Sequence, residues 1–322
     1  MANLYVGVSS KARLVKNIYI GVNGKARKVQ KAYIGVSGKA RLFYSASTPF
    51  AFTYSGSYAT EGNLEGNFVI RFKTSGTLKI TDVGNTGGKL DVFCVGGGSA
   101  GNHSHNNSTN TGGGAGGGGY TTTKKNVSIS VSSYSIVIGS GGQYNGNYLI
   151  TDSMAGGTSS GLNVSAAGGK ISCTRWPYVD DPYACGFDGG SGGGAHGYPG
   201  GSDGSTPDDH DLYQPPGSGQ GTTTREFGES SGKLYAGGGG GGGYTPTSGS
   251  DQREGGLGGD GGGGRGGYYK YKTDNNLTRT EYNANNGEVN TGGGGGGCAG
   301  QNYTGKHAGS GGSGIVCIRN AR

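Results

Sequence analysis

Residues 112–119 read GGGAGGGG, residues 237–243 are seven consecutive glycines, and residues 292–297 are six more. Ordering glycine costs more backbone entropy than ordering any other residue, so such runs in water usually form flexible tethers. The cost is offset when runs pack side by side as extended three-fold helices, because backbones without side chains approach closely and hydrogen-bond to one another. At about 3.1 Å per residue, runs of this length would span roughly 18–25 Å. These stretches therefore predict a bundle of packed polyglycine II helices.

The composition favours an ordered β protein with an unusual core. Glycine accounts for 78 of 322 residues, about 24% against a usual share of about 7%, and hydrophobic residues reach only 30%. A conventional apolar core is therefore not expected along most of the length. The glycine runs alternate with segments that carry strand patterning, and no apolar pattern of helical period appears. We expect an all-β protein with essentially no α-helix.

Strand patterns outside the glycine runs predict a β-sandwich-like frame that fixes both ends of each run. FVIRFK at 68–73 and TLKIT at 77–81 flank Thr74-Ser75-Gly76, which predicts a hairpin. KLDVFCV at 89–95 has the apolar character of a buried strand and leads directly into glycine. The predicted frame comprises residues 50–95, 126–139 and 314–319 of a glycine-rich domain that spans residues 46–322.

The first 45 residues form a separate repeat region. Residues 3–44 hold three copies of a 14-residue unit, NLYVGVSSKARLVK, NIYIGVNGKARKVQ and KAYIGVSGKARLFY. Each unit predicts a β-hairpin, most strongly at Asn23-Gly24, because both residues tolerate the positive φ of a tight turn. A two-stranded hairpin is marginal alone, so we expect the hairpins to share a face built from the aligned tyrosines and valines. Residues 1–45 are therefore a distinct domain.

Positive charge is confined to this repeat region. The formal net charge is +7, but residues 1–44 contain nine Lys or Arg and no acidic residue. The remainder has 27 − 9 = 18 basic and 20 acidic residues, a net charge of −2. This distribution does not support a general nucleic-acid-binding protein. The N-terminus has no signal-peptide pattern and no apolar stretch reaches about 18 residues, so neither export by a signal peptide nor a membrane span is expected.

No residue pattern predicts catalysis, a metal or another cofactor. No GxSxG nucleophile elbow is expected, because that motif needs a following helix and no helical pattern is present. Short glycine-spaced matches such as GxGxxG arise by chance in a glycine-rich sequence. His103 and His105 stand in a polar loop without further ligands, and the acidic residues around 203–211 lack the spacing of a calcium loop. Five cysteines are no disulfide framework; a Cys173–Cys185 bridge stays open, and the thiols are expected to be small buried apolar groups. We expect a protein that is not an enzyme.

Three long polar inserts interrupt the glycine runs and would be displayed as loops at the ends of the bundle. They occupy residues 173–188, 203–216 and 268–283, and the first contains the only tryptophan. Loops that carry aromatic and planar polar side chains on a rigid scaffold are typical of binding surfaces. The candidate binding residues are Trp176, Tyr178, Tyr183, Tyr213, Tyr268, Tyr269, Tyr271 and Tyr282.

Several stretches resemble phage tail proteins. YIGVNGKARKVQKAYIGV at 19–36 is similar to short repeats in tail and receptor-binding proteins of phages that infect Gram-positive hosts. FVIRFKTSGTLKIT, LDVFCVGGG, GGGGYTTT and the terminal GSGGSGIVCIRNAR resemble the glycine-rich domain of phage tail fibres. The design as a whole resembles the distal adhesin of T-even-type long tail fibres, whose polyglycine bundle displays receptor-binding loops. The basic hairpins are absent from that adhesin.

The resemblance implies a virion protein of the phage tail that binds a carbohydrate or protein receptor on the host surface. It also implies attachment to other tail proteins through the N-terminus, for which the candidates are Lys11, Arg13, Lys25, Arg27, Lys39 and Arg41. A purely structural tail spacer is the first alternative, and an ice-binding or matrix glycine-rich protein is the second. Tail fibres are often trimers, so a homotrimer stays open.

Overall fold

A computed structural model describes residues 5–8, 11–15, 17–45, 48–103, 112–146, 150–172, 185–208, 215–243, 254–272, 278–300 and 307–321. This part of the chain is all-β and contains no α-helix, as predicted. Its only helical elements are three short 3₁₀ turns at Gly84–Thr86, Asp152–Met154 and Glu226–Gly228. None of the described helices is long and apolar enough to cross a membrane.

The strands of the described residues are numbered in chain order. The N-terminal repeats contribute β1 (Tyr5–Val8), β2 (Lys11–Leu14), β3 (Tyr19–Val22), β4 (Lys25–Lys28), β5 (Lys31–Val36) and β6 (Lys39–Ser45). The glycine-rich domain contributes β7 (Ala51–Tyr54), β8 (Tyr58–Gly62), β9 (Phe68–Phe72), β10 (Gly76–Asp82), β11 (Lys89–Val95), β12 (Thr121–Ser128), β13 (Ser133–Val137), β14 (Ser159–Gly161), β15 (Val164–Ala166), β16 (Tyr268–Lys272), β17 (Thr278–Tyr282) and β18 (Ile315–Asn320).

Two five-stranded antiparallel sheets form the predicted sandwich. The strand order is β15-β14-β13-β10-β7 in the first sheet and β12-β11-β18-β9-β8 in the second. Their inner faces meet in one apolar core, in which Phe68, Ile70 and Phe72 alternate with half-buried residues of β9, as the sequence predicts. Leu78 and Ile80 of β10 face them from the first sheet.

The predicted hairpin across residues 68–81 is wrong. Strand β9 pairs with β8 and β18, whereas β10 pairs with β7 and β13, so the two strands belong to different sheets. Thr74 and Ser75 therefore carry the chain from one sheet to the other. Both strands have an apolar face, and placing these faces opposite each other buries both of them.

Strands β11 and β18 lie at the centre of the second sheet and are covered on both faces. Phe93, Val95 and Cys317 point away from the sandwich core and pack under residues 225–236, where Phe227 and Tyr235 cover them. In the same layer the buried Arg319 donates to the buried Asp91 at 3.2 Å and forms an ion pair with Glu229 at 2.8 Å. A charge this deep is tolerated because it is paired.

The glycine runs form the predicted bundle of three-fold helices. We label four of them run A (96–102), run B (112–120), run C (236–243) and run D (292–300). Amides three residues apart donate to the same neighbour, which is the signature of three residues per turn. In run A, the amides of Gly96, Ser99 and Asn102 donate to run B, those of Gly97 and Ala100 to residues 154–157, and those of Gly98 and Gly101 to residues 309–312.

The innermost runs are surrounded on all sides by other extended segments. Every amide of run C from Gly237 to Gly243 donates to a neighbouring backbone at 2.8–3.2 Å. Run C donates hydrogen bonds to three segments, namely residues 261–267, residues 198–201 and run B. It accepts hydrogen bonds from three others, namely run D, residues 256–259 and Gly194. Six neighbours per helix correspond to hexagonal packing.

This packing explains why the runs are glycine. A Cβ atom added at Gly240 would overlap the carbonyl oxygen of Gly256, and one added at Gly295 would overlap that of Gly309. Small side chains occur only at a few buried positions, such as Ala100 and Ala115. The core of the bundle is therefore made mainly of peptide groups that hydrogen-bond to one another, with a small apolar cluster of Ala100, Met154 and Phe187, while the sandwich holds the larger apolar core.

The three N-terminal hairpins form as predicted, each as a separate two-stranded sheet. Asn23 and Gly24 have φ of 52° and 71°, and Ser37 and Gly38 have φ of 53° and 74°, as a type I′ turn requires. For the two described tyrosines of this pattern the expected shared face does not form, since Tyr19 and Tyr33 are 59% and 56% exposed. Tyr44 is buried and its hydroxyl accepts a hydrogen bond from the Ile18 amide at 3.2 Å, which joins the second and third hairpins.

Four described cysteines are buried, namely Cys94, Cys185, Cys298 and Cys317. Cys173 itself lies outside the described residues. Desolvation by burial raises the pKa of Cys94 to about 12, and it also places that of Cys317 well above its usual range.

We therefore expect Cys94 and Cys317 to resist iodoacetamide at pH 8 in the folded protein, because the thiolate is the reacting species and burial raises both pKa values. At a pKa of about 12 the thiolate of Cys94 is about a thousandfold scarcer than that of an ordinary cysteine. Mass spectrometry after labelling, with and without 8 M urea, measures this. Rapid modification of Cys94 or Cys317 without urea would contradict the burial described.

Candidate functional site

The chain direction gives the glycine-rich domain two different ends. Strand β11 ends at Val95, where run A begins. Val95 pairs with Thr121, which follows run B, and with Ile315, which follows the last glycine segment. The bundle therefore joins the sandwich at one end of the sheets. At the opposite end, the Asn85 amide donates to the carbonyl oxygen of Thr48 at 3.0 Å, where the chain arrives from the hairpin repeats. The hairpins and the bundle thus meet the sandwich at opposite ends.

The other end of the bundle, away from the sandwich, is here called the distal end. Runs A, C and D all lead outward from the sandwich, and their last residues are linked: the Cys298 amide donates to Asn102, and the Gly300 amide to Gly243. Gly243 in turn donates to Gly267, which directly precedes β16. The third insert, which begins at Tyr268, therefore starts at the distal end.

Half of the predicted binding residues lie outside the described residues: Trp176, Tyr178, Tyr183 and Tyr213. The described residues next to them are Ser172 and Cys185 for the first insert, and Asp208 and Pro215 for the second. The amide of Gly186 donates to the carbonyl oxygen of Pro215 at 3.1 Å, so the two inserts start from neighbouring points of the bundle.

The third insert contains the hairpin β16–β17, which extends from the distal end. Tyr268 and Tyr282 face each other across it with stacked rings, 4.4 Å between centroids and 9° between planes. Arg265 lies over the Tyr268 ring at 4.6 Å and forms an ion pair with Glu254 at 2.8 Å. Tyr282 is 42% exposed and Tyr268 only 9%, so Tyr282 presents the surface and Tyr268 supports it.

Tyr269 and Tyr271 belong to the same strand, where their backbones pair with Glu281 and Arg279 of β17.

Sequence reasoning missed a second aromatic contact near the distal end. The rings of Tyr144 and His307 meet edge to face at 6.0 Å, and burial followed by the nearby Cys298 raises the pKa of Tyr144 to about 12. These residues stand in short polar segments far apart in the chain, so no sequence pattern joins them. Their position next to Cys298 of run D makes them part of the distal surface.

Sequence reasoning also missed a shallow cleft of about 280 Å³ on the side of the bundle. Its lining extends from Tyr198 to Asp208 and includes the hydroxyls of Ser202, Ser205 and Thr206. Ser205, Thr206, Pro207 and Asp208 belong to the second insert, residues 203–216, so this predicted binding loop forms part of the cleft.

The acidic segment 203–211 is divided between two environments. Burial alone would raise the pKa of Asp203, but hydrogen bonds from Thr223, the Thr224 amide and Arg225 outweigh it and lower that pKa. Asp203 is therefore held by residues 223–225, next to the segment 225–236 that covers the second sheet. Asp209, His210 and Asp211 lie outside the described residues, as does His105. Among the residues that are described, no group of three or more His, Cys, Asp or Glu side chains could hold a metal ion.

The predicted attachment residues lie in the N-terminal hairpins, which precede the glycine-rich domain. Lys11, Lys25, Arg27, Lys39 and Arg41 are exposed on the hairpins. The backbone of Arg13 pairs with Val6 in the first hairpin.

A β-sandwich that carries a hexagonal bundle of glycine helices defines a glycine-rich scaffold protein, in which backbone packing replaces most of the apolar core. The family model of the glycine-rich domain matches residues 73–321, about three quarters of the chain, and this protein belongs to that family. The match includes the bundle and most of the sandwich, whereas the hairpin repeats precede it. No curated protein matches the chain.

Proposed function

We propose that this protein is a phage tail-tip or tail-fibre protein, located in the virion, that binds the host surface through the distal end of the bundle. The observation that carries the proposal is the separation of two surfaces: the chain arrives from the basic hairpins at one end of the sandwich, and the bundle leaves the other end with the hairpin β16–β17 at its far end. An adhesin needs this arrangement, since one end must be anchored while the other meets the receptor.

The distal surface has the chemistry of a recognition surface. It combines an exposed stacked tyrosine with an Arg–Glu ion pair and the Tyr144–His307 pair, all on a rigid bundle. Aromatic faces beside planar polar groups suit sugar rings or protein epitopes. The receptor in this proposal is a surface carbohydrate or protein, and the protein acts by binding without catalysing a reaction or using a cofactor.

The test is binding of labelled full-length protein to intact cells of candidate hosts. Replacing residues 173–184, which include Trp176, with a Gly-Ser linker of equal length is expected to weaken binding by about tenfold or more, equivalent to about 1.4 kcal/mol. The reason is that exposed aromatic residues at the centre of a contact usually dominate its energy. Val131→Ser, an exposed substitution at the end of the sandwich away from the bundle, is the control and should leave binding unchanged.

A purely structural spacer predicts a different result. Folded protein that binds no candidate host, or whose binding survives replacement of this insert and of the other two inserts, 203–216 and 268–283, would favour the spacer.

A further inference from the structure

The three N-terminal hairpins repeat one cross-strand pattern. An aliphatic residue pairs with arginine and another aliphatic residue pairs with lysine in each of them: Val6 with Arg13 and Val8 with Lys11, Ile20 with Arg27 and Val22 with Lys25, Ile34 with Arg41 and Val36 with Lys39. Directly opposed residues, and residues two apart in a strand, lie on the same face of a hairpin. The second and third hairpins therefore each have one face that combines two branched aliphatic and two cationic side chains, and the first hairpin repeats their backbone pairing. We call this face the aliphatic–cationic face.

This face is exposed where its side chains are described. Ile20, Ile34 and Val36 are 53%, 54% and 38% exposed, and Lys25, Arg27, Lys39 and Arg41 are exposed as well. A two-stranded hairpin in water is marginally stable, and large exposed aliphatic residues add nothing to its stability. The same exposed face on the second and third hairpins therefore indicates a surface that another molecule covers.

Charge decides which kind of molecule fits. The repeat region contains nine Lys or Arg and no acidic residue, so two copies of this face would repel each other. A flexible polyanion would neutralise the cations but would leave Ile20 and Ile34 in water. A protein surface whose acidic side chains surround apolar contacts satisfies both parts of the face.

We propose that the aliphatic–cationic faces form a docking site for an acidic, partly apolar protein surface. This inference rests on the proposed function, in which the N-terminal hairpins attach the protein to the phage tail. It adds the chemistry of the partner surface that these hairpins bind. Three copies in tandem make the contact multivalent, so modest affinity per hairpin is multiplied when they engage together. It predicts binding that weakens with salt, because the cations are exposed.

The test measures binding of the full-length protein to immobilised random copolymer of glutamate and tyrosine, with polyglutamate and inorganic polyphosphate as comparators. We expect the copolymer to bind at least about tenfold more tightly than either comparator. Arg27→Ser with Arg41→Ser should weaken all three interactions. Ile20→Ser with Ile34→Ser should remove the preference for the copolymer and leave polyglutamate binding unchanged. Ala26→Ser with Ala40→Ser, on the opposite face, is the control.

Equal binding to all three probes, with no effect of the isoleucine substitutions, would overturn the proposal in favour of a polyanion site. Absence of copolymer binding at low salt would also overturn it. Sedimentation that shows an oligomer dissolved by the isoleucine substitutions would assign the face to contacts between copies of this chain. Cell binding, measured in parallel, depends on residues 173–184 and not on the hairpins, so failure here is distinguishable from failure of the proposed function.

Discussion

Gly240→Ala is expected to lower the free energy of unfolding by about 3 kcal/mol or more, the largest single effect we predict in the bundle. Gly240 donates to the Gly264 carbonyl at 2.8 Å and accepts from the Gly297 amide at 2.9 Å, so it is fixed between two neighbours. The new methyl group would overlap the carbonyl oxygen of Gly256, well inside the 3.0 Å below which real Cβ contacts do not occur. Because the obstacle is backbone held by its own hydrogen bonds, no rotamer change relieves it.

The measurement is urea denaturation followed by far-ultraviolet circular dichroism, with Gly66→Ala as the matched control. Gly66 lies in an exposed turn of the sandwich, and a Cβ atom there meets nothing within 4 Å. The control should unfold at the midpoint of the unmodified protein. A Gly240→Ala protein with that same midpoint would show that the runs are not packed as described.

Asp91→Asn is the second substitution with a large expected effect, about 3 kcal/mol of destabilisation. Both carboxylate oxygens of Asp91 are used, one by Arg319 at 3.2 Å and the other by the Asn126 amide at 3.0 Å. The substitution keeps the shape of the side chain but leaves the buried guanidinium of Arg319 with only Glu229 as its anionic partner. Breaking a buried pair from one side costs more than the pair contributes, because the remaining charge is uncompensated.

Glu61→Gln is the matched control, since it neutralises the carboxylate of an ion pair at the surface. Glu61 pairs with Arg71 at 2.8 Å, but its side chain is 71% exposed. Its loss should cost less than about 1 kcal/mol, because solvent screens such pairs. The two variants should therefore differ clearly in their urea midpoints. Equal midpoints would contradict the burial of the Asp91–Arg319 pair.

Much of the architecture could be predicted because glycine leaves few alternatives. Runs such as 237–243 have no side chains for an apolar core, so order requires backbone-to-backbone packing, and the bundle is confirmed. The turns at Asn23-Gly24 and Ser37-Gly38 were equally predictable, since positive φ at both positions suits few residue pairs. In both cases a local steric rule determines the outcome.

Pairing between strands was harder to predict. The hairpin expected around Thr74 and Ser75 is a crossing between sheets, because alternation reveals the apolar face of a strand but not its partner. Strands β14 and β15 were missed since each has three residues, and the turn between them, Leu162-Asn163, adopts positive φ without a glycine. The site was partly predicted for a similar reason: the third insert locates the distal end, while the Tyr144–His307 contact depends on how the runs are ordered in space.

The arrangement of hydrogen bonds in the bundle also has a mechanical consequence. A force applied between the hairpins and the distal end acts along the glycine runs, because the hairpins and the bundle join opposite ends of the sandwich. The bonds between runs lie across that direction, so the pull shears many of them together instead of opening them one after another. Each inner run shares the load with six neighbours, as run C illustrates. The close packing that excludes side chains therefore also makes the bundle a stiff element under tension.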